Sequence, residues 1–177
     1  MNRVIQCFPP IADAQATRLI LGSMPGVASL AAGQYYAHPQ NAFWRIMGEL
    51  LNFAPDAPYS ERVPALQRGG IAVWDVLQCC ERPGSLDSAI VRGSEVANEF
   101  ADFLRRHPDI CTILFNGAAA EAAFRRHCRT LLDQPQIRFV RLPSTSPANA
   151  GVDFQRKLSL WRNAIVSEHT DPRTDAS

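Results

Sequence analysis

The sequence has neither a long apolar run nor a strong excess of one charge. No stretch of its 177 residues approaches the roughly 20 consecutive apolar residues that cross a membrane, and its start lacks the apolar run of a signal peptide. We therefore expect a cytoplasmic protein. A formal net charge of +1 does not indicate a nucleic-acid partner, but it does not exclude one, because phosphate contacts need only a local basic face.

The sequence also lacks the common metal-binding and phosphate-binding motifs, and it lacks a pair of acidic residues in the loops described below. The five cysteines are odd in number and form no CxxC pair, so neither disulfides nor a zinc or iron–sulfur site is expected. Metal binding by the adjacent Cys79 and Cys80 is a minor alternative. No Gly-Lys-Ser/Thr follows a predicted strand, which excludes a P-loop. The acids nearest to the loops described below are Glu49 and Asp153, so two-carboxylate sugar hydrolysis is not expected. The sequence predicts no metal and no cofactor.

Short β-rich runs alternate with helical periodicities along most of the chain. The predicted strands are residues 19–21, 71–77, 112–115 and 137–142. The predicted helices are Asn41–Phe53, a segment from Ser94 as its N-cap to just before Pro108, residues 118–128, and a last segment with Phe154, Leu158, Trp161 and Ile165 on one face. This alternation predicts an α/β fold, a three-layer α/β/α sandwich with a central four-stranded parallel sheet. We expect one domain over residues 1–167 and a loose C-terminal tail over 168–177.

Parallel sheets carry their functional sites beyond the carboxyl ends of the strands, which singles out three segments. The first, Gly22 to Gly26, follows a buried strand and makes a sharp turn whose backbone a ligand can approach. The second, Asn116-Gly117, directs an amide toward the same edge. The third, residues 142–149 (LPSTSPAN), offers hydroxyls and an amide to a phosphate or a base. Plain turns and a polar surface loop are the alternative interpretations.

A fourth segment, residues 35–44 (YYAHPQNAFW), combines aromatic rings with hydrogen-bonding side chains. Aromatic rings stack on nucleobases, and amides hydrogen-bond to base edges. The alternative makes Phe43 and Trp44 core residues at a helix start, with Asn41 as the N-cap. That capping competes with a functional role of the same side chain. His38 is a candidate general base, although a loop histidine is more often structural.

Taken together, GSMPG, YYAHPQNAFW, FNG and LPSTSPAN resemble the uracil-DNA glycosylase superfamily, most closely its hypoxanthine-DNA glycosylase branch. The resemblance extends from about Arg18 to Trp161. It implies a four-stranded parallel sheet and hydrolysis of the N-glycosidic bond of a deaminated base, which is flipped out of DNA into a pocket. It also implies that the protein acts on double- or single-stranded DNA in base excision repair without a cofactor, and we expect a monomer.

The resemblance also assigns roles to individual residues of this sequence. Tyr36 stacks on the flipped base, and the catalytic amides are Asn41 and, as a second one, Asn116. The base-binding residues are Gly22, Ser23, Met24, Tyr36 and Phe43. The DNA-binding residues are Ser144, Thr145, Ser146 and Asn149.

Met24 departs from the pattern of the superfamily. Many members have Asp or Asn at this position, where it activates water, and a thioether cannot do so. We therefore expect Asn41 to carry the catalysis, and we rank hypoxanthine above uracil and xanthine as the substrate base. The missing carboxylate also motivates a rival hypothesis, an inert protein that binds damaged DNA. A nucleotide-binding α/β protein unconnected with DNA is the other rival.

Overall fold

A computed structural model of the chain describes residues 4–166. Its strands are β1 (Val4–Gln6), β2 (Arg18–Gly22), β3 (Ile71–Asp75), β4 (Leu77–Glu81), β5 (Val96–Ala97), β6 (Thr112–Asn116) and β7 (Arg138–Leu142). Its helices are α1 (Val27–Ala32), α2 (Phe43–Leu51), α3 (Tyr59–Arg68), α4 (Phe100–Arg106), α5 (Ala118–His127) and α6 (Phe154–Val166). Short 3₁₀ turns span Asp87–Ala89 and Arg129–Asp133. The tail predicted over 168–177 lies outside the described residues.

The centre of the fold is a parallel sheet of four strands in the order β3-β2-β6-β7. The strands β2, β3 and β6 consist mostly of apolar residues and are buried on both faces, as expected for strands covered by helices on two sides. Successive side chains of β7 point to opposite faces of the sheet. Phe139 packs near Phe124 of α5 on one face, and Arg138 donates a hydrogen bond to Ala164 O of α6 on the other. The predicted α/β/α arrangement with a four-stranded parallel sheet is confirmed.

A second, antiparallel sheet in the order β1-β4-β5 was not predicted from the sequence. The predicted strand 71–77 ends at Asp75, and the chain then enters β4, which pairs with β1 through Ile5 and Cys80. Cys80 is fully buried and its neighbour Cys79 is half-buried. Among residues 4–166, no group of three or more His, Cys, Asp or Glu side chains is placed to hold a metal ion.

The predicted helix start at Ser94 is wrong. Ser94 lies in a turn, where its hydroxyl accepts a hydrogen bond from Glu81 N and donates one to Val91 O. Val96 belongs to β5 and is exposed, and α4 begins only at Phe100. The tertiary contact with β4 therefore uses the hydroxyl that the sequence pattern assigned to a helix cap. Within the described part of the chain, no helix is long and apolar enough to span a bilayer.

Candidate active site

A cavity of about 160 Å³ lies at the carboxyl ends of β2, β3 and β6. It is more than ten times larger than the roughly 10–15 Å³ that a single buried water needs, so it has room for a ligand. We call it the strand-end cavity. Its lining residues come from distant parts of the chain: 22–29, Tyr35, Tyr36, His38, Asn41, Asp75, Ser85, Asp87, Asn116 and 144–147. The three loops singled out by the strand-end rule, and the aromatic segment, therefore meet at one place.

The floor of the cavity is formed by the last residues of three adjacent strands. Gly22 is paired with Asp75 on β3, and the register between β2 and β6 sets Gly22 beside Asn116. An ideal Cβ at position 22 would lie 2.5 Å from Asp75 Oδ1 and 3.2 Å from the Tyr36 hydroxyl oxygen. Any side chain larger than hydrogen would therefore displace both groups. Gly22 lets the carboxyl group and the phenol approach the backbone.

Asp75 is a buried carboxylic acid at this floor. Its side chain is almost completely buried, and Oδ2 has no hydrogen-bond partner among residues 4–166. Burial is the main cause that raises the pKa of Asp75 to about 7, and the negative charge of Asp87 raises it further, whereas Arg82 lowers it. The carboxyl group therefore changes its charge near neutral pH.

The ring of Tyr36 forms one wall of the cavity. It stacks on Phe43 with ring centroids 4.0 Å apart, and Phe43 itself is fully buried at the start of α2. Tyr36 has a φ of 54°, a left-handed conformation that is strained for a bulky residue. The Trp44 indole N–H donates to Tyr35 O at 2.9 Å and so fixes the neighbouring backbone. The Tyr36 ring is therefore held in one position before any ligand binds, which suits a stacking surface.

The Tyr36 hydroxyl points to the cavity floor. Its oxygen is buried and makes no hydrogen bond of standard geometry within the described residues. Burial and the nearby charge of Asp75 raise the pKa of Tyr36, and the side chain of Asn116 opposes that shift. The phenol therefore stays protonated at neutral pH. Two buried oxygens without partners, Asp75 Oδ2 and the Tyr36 hydroxyl, thus lie in the same small region.

Asn41 lines the cavity and also shapes the start of α2. The N-cap position of α2 is Ala42 and not Asn41 as predicted, but Asn41 Oδ1 accepts a hydrogen bond of 3.0 Å from Phe43 N and so caps the helix from one position earlier. The backbone of the next residue, Ala42, donates to Thr145 O at 2.9 Å. The capping oxygen is therefore engaged, and the amide NH₂ is the part of Asn41 that can act on a ligand. His38 is exposed at the rim, and its Nδ1 accepts from Gln40 N.

Asn116 holds the loop over residues 143–149 against the sheet. Its Oδ1 accepts from Thr145 N and its Nδ2 donates to Thr145 Oγ1, both at 2.9 Å. Both residues are buried. Because the oxygen and one N–H of its amide are both bonded to Thr145, Asn116 positions the part of this loop that lines the cavity. Its expected catalytic role is not visible in these contacts and stays a prediction.

The same loop is braced by its own polar groups. Ser144 Oγ accepts from Ser146 N, and Asn149 Nδ2 donates to Ser144 O. Lys157 of α6 donates to Asn149 O at 2.8 Å, and burial lowers the pKa of this lysine. These bonds set the loop in one conformation before any ligand is bound.

A second, more open groove shares part of its lining with the cavity. We call it the side groove; its lining includes Ser85–Ser88, Asn116–Ala119, Arg141–Ser144, Ser146, Ala148, Asn149 and Val152. Arg141 brings a positive charge to this groove and is paired with Glu121 at 3.3 Å. The side groove offers hydroxyls, an amide and a cation to an extended ligand next to the cavity mouth.

The turn after β2 is fixed from behind by a buried arginine. The Arg82 side chain is fully buried and donates to Pro25 O and to Gly84 O. It also lies 3.5 Å from Asp87 Oδ1, which accepts a 2.6 Å hydrogen bond from Ser23 Oγ. The Arg82 contacts tie the 22–26 turn to the loop that carries Ser85 and Asp87. The carboxylate of Asp87 and the guanidinium of Arg82 thus both affect the electrostatic potential near Asp75.

Comparison with known protein families shows the family to which this chain belongs. The family model described as the uracil DNA glycosylase superfamily matches residues 9–168. The chain belongs to the uracil DNA glycosylase superfamily. The resemblance noted in the sequence motifs is confirmed over nearly the whole chain.

Individual relatives give the same result. A Methanosarcina acetivorans protein named hypoxanthine DNA glycosylase is 37% identical over 155 residues, which are 87% of this chain and 93% of that protein. A Methanosarcina barkeri protein of the same name is 39% identical over 113 residues, 63% of this chain and 70% of that protein. The solution NMR structure of a candidate uracil DNA glycosylase from Methanosarcina acetivorans has a TM-score of 0.75 and 30% identity, covering 92% of this chain and 99% of that one.

Most of the predicted site residues of this superfamily member lie together. Those that line the strand-end cavity are Gly22, Ser23, Met24, Tyr36, Asn41, Asn116, Ser144, Thr145 and Ser146. Asn149 lines the side groove instead. Phe43 is a core residue that packs behind the ring of Tyr36, and the Thr145 side chain is buried and bonded to Asn116. The base-binding role of Phe43 and the DNA-binding role of Thr145 stay predictions.

Sequence reasoning missed the two acids of the cavity. Asp75 lies inside a predicted strand, and Asp87 belongs to residues 78–93, for which the sequence pattern predicts no helix or strand. The signal available was the run Ile71–Asp75, four apolar residues followed directly by an acid at a position where a parallel strand can end. The chain therefore has cavity carboxylates although Met24 replaces the acid or amide usual in the first motif of its superfamily.

Proposed function

We propose that the protein is a DNA glycosylase that hydrolyses the N-glycosidic bond of a deaminated base, preferentially hypoxanthine, in base excision repair. The observation that supports this most is the strand-end cavity itself. It combines a fixed aromatic wall at Tyr36, an amide at Asn41 and a buried acid at Asp75. Relatives named hypoxanthine DNA glycosylase favour this base over uracil and xanthine.

Base excision in this cavity begins with a nucleotide flipped out of DNA. Tyr36 offers the face of its ring to the base, and base–aromatic stacking contributes about 1–3 kcal/mol. Damaged or mispaired bases cost less to flip, which adds selectivity without any contact. DNA is thus the proposed partner. In this proposal its backbone is held by Ser144 and Ser146, which line the cavity, and by Asn149, which lines the side groove.

The chemical step separates the base from C1′ of the sugar. The departing base takes up negative charge and the sugar becomes oxocarbenium-like, so hydrogen bonds aimed at the base lower the barrier. The amide NH₂ of Asn41 is free of the capping bond and can donate to the base or orient the attacking water. One such group is worth on the order of 100-fold in rate. Met24 is buried beside the site, and its thioether takes no part in proton transfer.

A second candidate function is damage-specific DNA binding without turnover. Met24 favours it, because the usual group for activating water is missing from the first motif. The presence of Asn41 and Asp75 in the same cavity favours the enzyme. We also propose that the protein is a cytoplasmic monomer and that it acts without a cofactor.

A single-turnover assay with enzyme in excess tests this function. Labelled duplexes contain one hypoxanthine, uracil, xanthine or adenine at the same position, and alkali cleaves the abasic strands that form. We expect cleavage that is fastest for hypoxanthine and absent for adenine. Folded protein that binds the hypoxanthine duplex and cleaves none of the four would leave the inert binder as the correct function.

A further inference from the structure

Hydrolysis of the N-glycosidic bond requires an acceptor for one proton of the attacking water. The water oxygen forms a bond to C1′ and loses a proton, and a well-placed general base speeds such a step by about 100-fold or more. The amides of Asn41 and Asn116 cannot accept this proton, and neither can the thioether of Met24. Another side chain of the strand-end cavity is therefore required for this task.

Two carboxylates line the strand-end cavity among residues 4–166, and they lie at different depths. Asp75 is almost completely buried at the cavity floor. The side chain of Asp87 is 38% exposed and also lines the side groove, so it lies where the cavity opens outward. A flipped nucleotide enters a pocket with its base first, so its sugar stays near the opening. Asp87 is therefore the carboxylate on the side of C1′.

Asp87 is held in place through one of its two carboxylate oxygens. Its Oδ1 accepts a 2.6 Å hydrogen bond from Ser23 Oγ and lies 3.5 Å from the guanidinium of Arg82. Arg82 is itself fixed, because its side chain is fully buried and donates to Pro25 O and Gly84 O. Both contacts of the carboxylate use Oδ1, which leaves Oδ2 to receive a hydrogen bond from a water molecule.

The same contacts bring the carboxylate to the turn that follows β2. Ser23, the hydrogen-bond donor, lies between Gly22 of the cavity floor and Met24. The negative charge of Asp87 is also one cause of the raised pKa of Asp75, so its electrostatic effect reaches the interior of the cavity. A residue from a distant loop thus supplies a negative charge beside a turn, residues 22–26, that has no ionisable side chain of its own.

We propose that Asp87 is a catalytic residue whose carboxylate orients the attacking water and accepts its proton. This inference rests on the proposed glycosylase function, because it requires a nucleotide in the strand-end cavity. The bond between C1′ and N9 of hypoxanthine breaks, and its electron pair leaves with the base, which takes a proton from solvent. The water oxygen forms the new bond to C1′ and passes one proton to Asp87, from which the proton goes to solvent. The negative charge of the carboxylate also stabilises the oxocarbenium-like sugar.

His38 is the rival for this task, because it lines the same cavity and a histidine can act as a general base. It is exposed at the rim, and its Nδ1 accepts a hydrogen bond from Gln40 N in the same turn. Asp87 is instead fixed by a fully buried arginine. A group that is held in position before the reaction stabilises the transition state better than one that must first be ordered, which favours Asp87.

The test measures single-turnover release of hypoxanthine from a deoxyinosine duplex, with saturating enzyme in excess. Asp87→Asn keeps the shape of the side chain and an oxygen that accepts from Ser23, whereas Asp87→Ala leaves an empty space. We expect both rates to fall by about 100-fold or more, the contribution typical of a general base. Binding of an uncleavable duplex that contains 2′-fluoro-deoxyinosine should stay within about twofold of wild type. Asp109→Asn, at an exposed carboxylate near the amino end of β6, is the matched control and should keep the wild-type rate.

Added formate separates a catalytic role from a structural one. Formate is a small carboxylate that fits the space left in Asp87→Ala and replaces the missing proton acceptor. We expect the rate of Asp87→Ala to rise with formate concentration and to saturate. The rate of Asp87→Asn should not respond, because its amide fills the space. Sodium chloride at the same ionic strength is the salt control, since DNA binding depends on salt.

Other outcomes would overturn the assignment. Wild-type rates in both Asp87 variants would show that the carboxylate takes no part in the step, and a large loss in His38→Ala alongside them would assign the proton to His38. A parallel loss of rate and binding, or a rate of Asp87→Ala that formate does not restore, would show a structural role. If folded wild type binds the duplex and releases no hypoxanthine, the glycosylase function fails and this inference fails with it. Wild type and Asp87 variants that release the base equally fast overturn this inference alone. Circular dichroism melts confirm that each variant is folded.

Discussion

The carboxyl group of Asp75 occupies the space in which a side chain at position 22 would lie. An ideal Cβ on Gly22 would come within 2.5 Å of Asp75 Oδ1, closer than such atoms approach in proteins. The two residues are register partners at the ends of β2 and β3. The glycine of the first motif and the buried acid are therefore one structural unit, although 53 positions separate them in the sequence.

Gly22→Ala should destabilise the protein by about 1–3 kcal/mol, because the added methyl group overpacks a filled site. The cost should be clearly smaller in an Asp75→Ala background, where the clashing oxygen is absent. Urea unfolding of the four proteins in this cycle measures the coupling. The same cost in both backgrounds would show that the two side chains do not compete for this space.

The rate of hypoxanthine release should change with pH around 7, because the carboxyl group of Asp75 on the cavity floor has a pKa of about 7 and changes its charge there. Asp87→Asn should shift the midpoint to lower pH. The variant removes a negative charge that raises the pKa of Asp75, and it also leaves Arg82, which lowers that pKa, without its ion-pair partner. Single-turnover rates between pH 5 and 9 measure both profiles. A midpoint that stays in place or moves upward would contradict this electrostatic account.

Asn116→Ala should loosen the loop over residues 143–149 and weaken binding to every DNA duplex by a similar factor. It removes both hydrogen bonds to Thr145, and burial of the unpaired groups costs about 1–3 kcal/mol of stability. Thr145→Val is the matched comparison, because it removes the hydroxyl but keeps the backbone N–H that donates to Asn116. It should have the smaller effect. A loss confined to duplexes with a deaminated base would instead assign Asn116 to base recognition.

Tyr36→Ala should weaken binding of a duplex that contains 2′-fluoro-deoxyinosine, an analogue that resists cleavage, by about 1–3 kcal/mol through the loss of base stacking. Tyr36→Phe keeps the ring and removes a hydroxyl without a hydrogen-bond partner, so it should bind nearly as well as wild type. Phe43→Ala should act through stability and cost about 3–5 kcal/mol of the free energy of unfolding, because its ring is fully buried. Titrations by fluorescence anisotropy separate these effects. Tight binding by Tyr36→Ala would remove the stacking role.

The central sheet was largely predictable from the sequence because β2, β3 and β6 are mostly apolar runs that end in a glycine or a polar residue. The helices α2, α5 and α6 were predictable for a similar reason, since each carries apolar side chains at helical spacing. The second sheet was not. Val4–Gln6 and Val96–Ala97 are too short to show a pattern, and they become strands only by pairing with β4. Ser94 shows the same limit, because a distant backbone N–H decides what its hydroxyl does.

The candidate site was predictable as far as strand ends and motifs could define it. The segments around Gly22, Asn41, Asn116 and Ser144 do line one cavity. Asp75 was missed because its importance comes from the parallel register that places it beside Gly22, which no local pattern encodes. Phe43 does not line the cavity, because its ring is fully buried and stacks against the ring of Tyr36, and no local pattern shows which of the two rings faces the cavity.

The most direct test of the central claim is to detect the released base itself. Wild type and Asn41→Ala, each in excess over a deoxyinosine duplex, are incubated without added metal, and free hypoxanthine is quantified by mass spectrometry. We expect stoichiometric hypoxanthine from wild type and a rate lower by on the order of 100-fold for Asn41→Ala, with Asn41→Asp as the control that keeps the capping oxygen. Wild type that is folded, binds the duplex and releases no free base would contradict the assignment of this protein as a deaminated-base glycosylase.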